Sequence, residues 1–221
     1  MKHKIHILFL AFGLLMTTVF FSRIELSFAN KAHHHHHTQE SAEGNQSPYI
    51  KMMDDMMDKM HTAEKEDTRC TYTNFLSSMI PHHEGAIIMS EYELKHGKNP
   101  EMIALAKQII AEQKKEIAEM KAMLASYKVC PQGEQVTQAY QEAMARTMEP
   151  MMKDFPTTQL NAETNPDRAF ALAMIPHHQA AVDMAKVILQ YTKETNVVKL
   201  SRAIIESQEK EIKQMKSYLN K

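Results

Sequence analysis

The sequence predicts an all-α fold: a four-helix bundle made from two copies of one helical hairpin, with additional methionine-rich helices. Long stretches are rich in Ala, Glu, Lys, Ile and Met, and the 221 residues include only 5 glycines and no tryptophan, which favours helices over sheet. The second observation is a duplication without gaps at an offset of 95 residues, the separation of Met79 from Met174. Two copies of a helical hairpin are a natural way to build such a bundle.

The first segment, residues 1–29, is predicted to be a signal peptide. Lys2 and Lys4 precede an apolar run over residues 7–21, and small side chains within residues 27–29 mark a cleavage site. We expect cleavage and export, to the periplasm or outside the cell. An uncleaved N-terminal anchor is the alternative, because the apolar run is near the lower length limit for a spanning helix.

A polar linker, residues 30–47, follows and is expected to be disordered. It contains five consecutive histidines, His33–His37, which can collect metal even without order. A remnant of an affinity tag is the other explanation of this tract. Beyond the linker, residues 48–221 are predicted to form a single helical domain whose two repeats cover about 48–130 and 134–221.

The first predicted helix of the domain is rich in methionine. In MMDDMMDKMH, side chains four residues apart form two adjacent rows, Met53, Met57 and His61 beside Met52, Met56 and Met60. The second copy repeats this pattern at Met144, Met148 and Met152, with Met151 alongside. Such rows are usually core or a partner-binding face, so metal binding is one of two explanations for them.

The long helix of each copy carries the phrase Met-Ile-Pro-His-His, in MIPHHEGAIIM at residues 79–89 and MIPHHQAAVDM at residues 174–184. Met79 and His83 are four residues apart and share a helix face, so His82 must turn toward a neighbouring helix or water. Which histidine of each pair binds a ligand stays open at this point.

The ends of the long helices are marked by particular residues. Gly97 can close the first long helix, and Asn99 and Asn165, each followed by proline, can cap the helices that begin after them. Pro81 and Pro176 either kink a helix or start it. The apolar residues that precede both prolines favour the kink.

Folding the first hairpin about residues 98–99 places residue i roughly opposite residue 197 − i, if both helices are straight. Met79 then faces Met120, and His83 faces Gln113, whose amide could orient the imidazole. The same construction in the second copy brings together Met174, His178, Met215 and Gln208.

The two cysteines lie just before the first long helix and just after the second. Antiparallel packing puts Cys70 and Cys130 at one end of the hairpin, so we predict a disulfide in an oxidising compartment. Two separate buried thiols are the alternative. The second copy has no cysteine, which argues against thiolate as a metal ligand in either copy.

Thioether sulfur combined with imidazole indicates a soft metal ion. This donor set selects Cu(I), and Ag(I) by the same softness, over Zn(II), Mg(II) or Ca(II). Thioethers also suit an exported site, because thiolates there tend to oxidise to disulfides. Histidine is not a routine core residue, so the doubled phrase favours metal more strongly than the methionine rows do.

At these residues the chain resembles the exported bacterial family known as domain of unknown function 305. Its features are Met-Ile-Pro-His-His, a small-residue step and Met, and then a Gln-x-x-Glu-Ile-x-x-Met helix, and both copies match over about residues 71–124 and 166–219. The resemblance implies a ferritin-like four-helix bundle, and some members are similar to periplasmic copper-binding proteins of copper tolerance. Carried over by motif, the candidate ligands are Met79, His82, His83, Met89, Met120, Met174, His177, His178, Met184 and Met215.

The expected function is a non-enzymatic, exported copper-binding protein that sequesters or delivers Cu(I), with Ag(I) as the other candidate ion. A copper exporter or a cuproprotein is the expected partner for delivery. The methionine rows add further candidate ligands: Met53, Met56, Met57, Met60, His61, Met148, Met151 and Met152. The first copy departs from the family pattern at Gly85 and Ile88, where the second has Ala180 and Asp183, so the two sites are expected to differ.

Two other function classes compete with copper binding. A ferritin-like di-metal oxidase wants Glu-x-x-His on two helices, but Glu93 and His96 have Ile188 and Tyr191 as their counterparts. A non-metal helical adaptor would bind a protein through its methionine faces. Nucleic acid is excluded as a partner, because the formal net charge is −1 at pH 7 and no dense Lys/Arg stripe is present.

Overall fold

Seven helices make up the part of the chain that the structure, a computed structural model, describes: residues 46–66, 70–127, 130 and 133–221. They are α1 (Pro48–Glu66), α2 (Thr71–His96), α3 (Pro100–Ser126), α4 (Gln138–Lys153), α5 (Thr157–Ala162), α6 (Pro166–Tyr191) and α7 (Thr195–Leu219). No strand occurs within these residues, where the one extended feature is a bridge between Cys70 and Gln135. The predicted signal peptide and the histidine tract lie outside the described residues.

The helix caps predicted from the sequence are confirmed. The Asn99 side chain accepts hydrogen bonds from two backbone amides of α3 at 2.9 and 3.2 Å, and Asn165 does the same for α6 at 2.9 and 3.3 Å. Gly97 follows the last residue of α2, and a Cβ there would lie 2.3 Å from Glu93 Oε1. The same Cβ would lie 2.7 Å from the backbone oxygen of Glu93, so the close approach of the backbone favours glycine.

Pro81 and Pro176 both lie inside long helices. α2 begins at Thr71 and α6 at Pro166, so ten residues precede each proline within its helix. The alternative in which each proline starts a helix is therefore wrong. An interior proline removes one backbone hydrogen bond, which packing must offset in both copies.

Two hairpins form the core of the fold, as the duplication predicted. α2 pairs with α3 and α6 with α7, and the two hairpins meet through α2 and α6. The methionine-rich helices lie outside this core, α1 against α2 and α4 against α6. α2 and α6 run in opposite directions, because Met79 shares an apolar cluster with Met184 while Met89 shares another with Met174.

The buried methionines of α1 and α4 come from both of the adjacent predicted rows. In α1 the buried methionines are Met53, Met56 and Met60, which cut across both predicted rows, because side chains on one face of a helix recur at three and four residues alternately. Met144, Met148 and Met151 form the buried stripe of α4, whereas Met57 is half-buried and Met152 is 67% exposed. His61 belongs to α1, but its side chain lies outside what the structure describes.

None of the helices in the described ranges is both long enough and apolar enough to cross a bilayer.

A disulfide joins Cys70 and Cys130 and closes the first hairpin. Cys70 immediately precedes α2, and Cys130 follows α3, with a sequence separation of 60 residues. A loop of this length loses considerable entropy when it is closed in the unfolded chain. The link therefore stabilises the first copy, and the second copy has no equivalent.

Replacing both cysteines by serine is expected to lower the free energy of unfolding by about 4 kcal/mol, the loop-entropy value for this separation. Urea unfolding followed by circular dichroism measures the change. Wild-type protein kept in reductant provides the matched control and should lose a similar amount. A loss under about 1 kcal/mol in both samples would show that the link contributes little.

A buried carboxyl pair connects the first turn to the second hairpin. Asp167 Oδ1 accepts hydrogen bonds from the backbone amides of Lys98 and Asn99 at 2.9 and 2.7 Å. Glu93 is fully buried beside it. Burial, followed by the hydrogen bond and the charge of Asp167, raises the pKa of Glu93 from 4.5 to about 8.

This raised pKa predicts a loss of stability as the pH rises from acidic to neutral values. The folded protein holds a proton on Glu93 that the unfolded chain releases at about pH 4.5, so the stabilisation is complete below about pH 4.5 and is lost progressively until the pH reaches about 8. Glu93→Gln keeps a neutral side chain and should remove much of the fall in thermal midpoint between about pH 5 and pH 8. Equal falls in variant and wild type would assign the pH dependence to another group.

Candidate metal centre

The four histidines of the doubled phrase meet at the middle of the bundle. His82 and His177 face each other across the contact between α2 and α6, with ring centroids 3.9 Å apart. All four imidazoles, those of His82, His83, His177 and His178, are at most 1% exposed. The antiparallel contact of two identical phrases therefore converts two distant sequence motifs into one cluster.

The central pair has nitrogen atoms without ordinary partners. Neither ring nitrogen of His82 has a hydrogen-bond partner among the described residues. His177 Nε2 lies 3.1 Å from the sulfur of Met56, which α1 contributes from outside the two hairpins. Two buried imidazoles thus face each other, and one of them also lies beside a thioether; imidazole and thioether are donors that fit a soft metal ion.

The second histidine of each phrase points into its own hairpin and contacts a carboxylate. His83 Nε2 is 2.8 Å from Glu116 Oε2, and His178 Nε2 is 2.9 Å from Glu211 Oε2. Such a carboxylate fixes the orientation of an imidazole and raises its basicity. The two histidines of each phrase therefore differ in position: the first faces the other copy, and the second faces its own hairpin.

The predicted role of the glutamines is wrong. Gln113 and Gln208 are buried, but the imidazoles contact the glutamates that follow three residues later. Residues three apart share a helix face, so a small displacement along the axis exchanges one partner for the other. Glu116 and Glu211 were visible as part of the repeated Gln-x-x-Glu-Ile-x-x-Met phrase, and they were missed as site residues.

Burial favours the neutral form of three of the imidazoles, those of His82, His83 and His177. It is the main reason that the pKa values of His82 and His177 lie well below the ordinary 6.5, with neighbouring histidines as the next cause. Burial and the nearby His178 lower the pKa of His83 to about 3. Burial and the charge of Glu211 raise the pKa of Glu116 to about 7. Neutral imidazoles have a free lone pair, which a metal ligand needs.

The candidate methionine ligands of each copy are divided between two apolar clusters. Met79 and Met120 share one apolar cluster, as predicted, but Met184 of the other copy joins them. The second cluster contains Met174, Met215 and Met89. The antiparallel contact of α2 with α6 causes this exchange, because it places the end of one phrase beside the start of the other.

Within the described part of the chain, Met56 is the methionine that contacts a histidine ring nitrogen, Nε2 of His177. Met53, Met60, Met148 and Met151 are buried in the same apolar cluster. No group of three or more His, Cys, Asp or Glu side chains within the described ranges is arranged to hold a metal ion.

The family model described as domain of unknown function, DUF305, matches residues 22–124 and, a second time, residues 73–219. The chain belongs to the DUF305 family. Both copies of the repeat in this DUF305 protein lie within the matched residues, which confirms the resemblance found in the sequence.

Several known proteins are similar to this DUF305 chain. The uncharacterized protein L153 of Acanthamoeba polyphaga mimivirus is 41% identical over 54 residues, 24% of this chain and 36% of that protein, so the match spans about a third of its length. CopM in a Cu(I)-bound form is 34% identical with a TM-score of 0.51, over 67% of this chain and 95% of CopM. CopM in an Ag-bound form is 35% identical, with the same TM-score and the same coverage.

The lowered pKa values predict that His82 and His177 stay neutral in the folded protein when ordinary histidines titrate. Their ring resonances should show no midpoint between about pH 5.5 and pH 8, because protonation would charge a buried group. Two-dimensional NMR of imidazole-labelled, metal-free protein measures this. The urea-unfolded chain serves as the control and should titrate near 6.5. A native midpoint near 6.5 would mean that water reaches the cluster.

Proposed function

We propose that this DUF305 protein is an exported, non-enzymatic copper-binding protein that holds Cu(I), or Ag(I), at the centre of its bundle. The observation that carries the proposal is the facing pair of His82 and His177, in which the His82 nitrogens are buried without a partner among the described residues and His177 Nε2 lies 3.1 Å from the sulfur of Met56. A buried polar group without a partner costs free energy, and metal coordination would offset that cost.

The chemistry of these donors favours Cu(I) over harder ions. Neutral imidazole and thioether are ligands that suit Cu(I), whereas Mg(II) and Ca(II) prefer oxygen. Each central histidine is followed in its helix, α2 or α6, by a histidine that contacts a carboxylate. These contacts, of His83 with Glu116 and of His178 with Glu211, help to fix the positions of α2 and α6 and so of the central pair. The solved forms of CopM with Cu(I), Cu(II) and Ag support a metal-binding role in this family.

The proposed role is to sequester the metal or deliver it outside the cytoplasm, and so to contribute to copper tolerance. The predicted signal peptide supports export, and the disulfide between Cys70 and Cys130 agrees with an oxidising compartment. A copper exporter or a cuproprotein is the proposed partner for delivery. Burial of the site argues that release requires movement of a helix, because the central imidazoles are at most 1% exposed.

Replacing His82 and His177 together by alanine should lower Cu(I) affinity by more than about 100-fold, since it removes both central nitrogens. Competition with a colorimetric Cu(I) chelator measures this, at a chelator strength that leaves weak sites in the histidine tract empty. The exposed residue His96 supplies the matched control, and His96→Ala should bind as wild type does.

Circular dichroism must show that the double variant is folded, and His82→Gln with His177→Gln replaces it if alanine leaves too large a cavity. Unchanged affinity in a folded variant would contradict copper binding at the centre. The copper would then be bound by the methionine rows or by the histidine tract. No tight binding by the wild-type protein would favour the helical adaptor.

A further inference from the structure

The two copies differ where α1 lies against α2. Residue 85 of α2 is glycine, and a Cβ built there would be 2.9 Å from Cγ, 3.0 Å from the sulfur and 3.2 Å from Cβ of Met56. Carbon atoms do not approach so closely, so alanine at this position would force Met56 and its stretch of α1 to move. The equivalent residue in the second copy is Ala180, which already carries that methyl group.

The central histidines of the two copies also differ in their contacts with methionine. His177 has the sulfur of Met56 at 3.1 Å, whereas within the described residues His82 has no partner at either ring nitrogen, sulfur included. The second-copy equivalent of Met56 is Met151, which is buried in α4 but not at His82. The duplication thus gives two similar hairpins with a thioether on one side of the cluster.

We infer that Gly85 is a positioning residue that admits Met56 to the central pair, so that the bundle has one shared site of two imidazoles and one thioether instead of one site in each copy. The inference rests on the proposed function and adds to it the stoichiometry and the source of the sulfur ligand. α1, which lies outside both hairpins, becomes part of the site.

The chemical consequence is a softer site than two imidazoles make alone. Imidazole binds Zn(II), Cu(II) and Ni(II) as well as Cu(I), whereas thioether sulfur favours Cu(I). Glycine inside a helix is unfavourable for the helix itself. Its presence at residue 85, where the second copy has alanine, is explained by the room that it leaves for Met56.

The test compares Gly85→Ala, Met56→Leu and the double variant, each as the full mature chain loaded with one equivalent of Cu(I). X-ray absorption at the copper edge should show two nitrogens and one sulfur in wild type, and loss of the sulfur in all three variants. Affinity for Cu(I) should fall by about 10- to 100-fold in each. The double variant should bind no more weakly than Met56→Leu, because Gly85 acts only through Met56.

Met151→Leu is the matched control, the same substitution at the equivalent position of the second copy. It should keep the sulfur signal and bind Cu(I) within about twofold of wild type. Loss of affinity in Gly85→Ala cannot be due to a weaker helix, because alanine is the better helix former.

The inference is overturned if Gly85→Ala retains the copper–sulfur signal, or if its effect adds fully to that of Met56→Leu. Two equivalents of Cu(I) bound with equal affinity would overturn it as well. These outcomes can be distinguished from failure of the proposed function itself. If the proposed function is wrong, the wild-type protein will show no tight Cu(I) binding, and none of the variants will differ from it in Cu(I) binding.

Discussion

Burial of four imidazoles where α2 crosses α6 is the constraint on which the rest of this structure depends. A polar group taken out of water costs free energy unless it finds a partner. His83 finds one in the carboxylate of Glu116, and His178 Nε2 lies 2.9 Å from Oε2 of Glu211. Within the described residues the central pair has the contact between its two rings and the sulfur of Met56, so interactions elsewhere must stabilise the bundle.

Those interactions are concentrated at the ends of the helices and in the outer layer. The disulfide closes the first hairpin at one end, and the buried Asp167 ties the turn of that hairpin to α6 at the other. α1 and α4 cover the core with methionines, whose flexible side chains fill irregular space. One of these two covering helices, α1, also brings sulfur to the centre, where Met56 contacts an imidazole.

The sequence predicted the elements well because their signals are local. Duplication, capping asparagines and helical periodicity fixed the two hairpins, and antiparallel packing accounted for the two cysteines. The contacts between helices were harder to predict, because a shift of a few ångströms along a helix axis changes which residues lie opposite each other. Such a shift explains why His83 contacts Glu116 and not the predicted Gln113. The contact of Met56 with the cluster depends on the packing of a third helix, which no spacing rule within the hairpin contains.

The central claim is that the facing histidines of the two copies bind one soft metal ion. A crystal structure of the mature protein with Cu(I) or Ag(I), with the metal located by anomalous scattering, tests this most directly. The account predicts one strong peak between His82 and His177 that is also bonded to the sulfur of Met56. Strong peaks confined to the outer methionines, with the central rings in contact and free of metal, would contradict it.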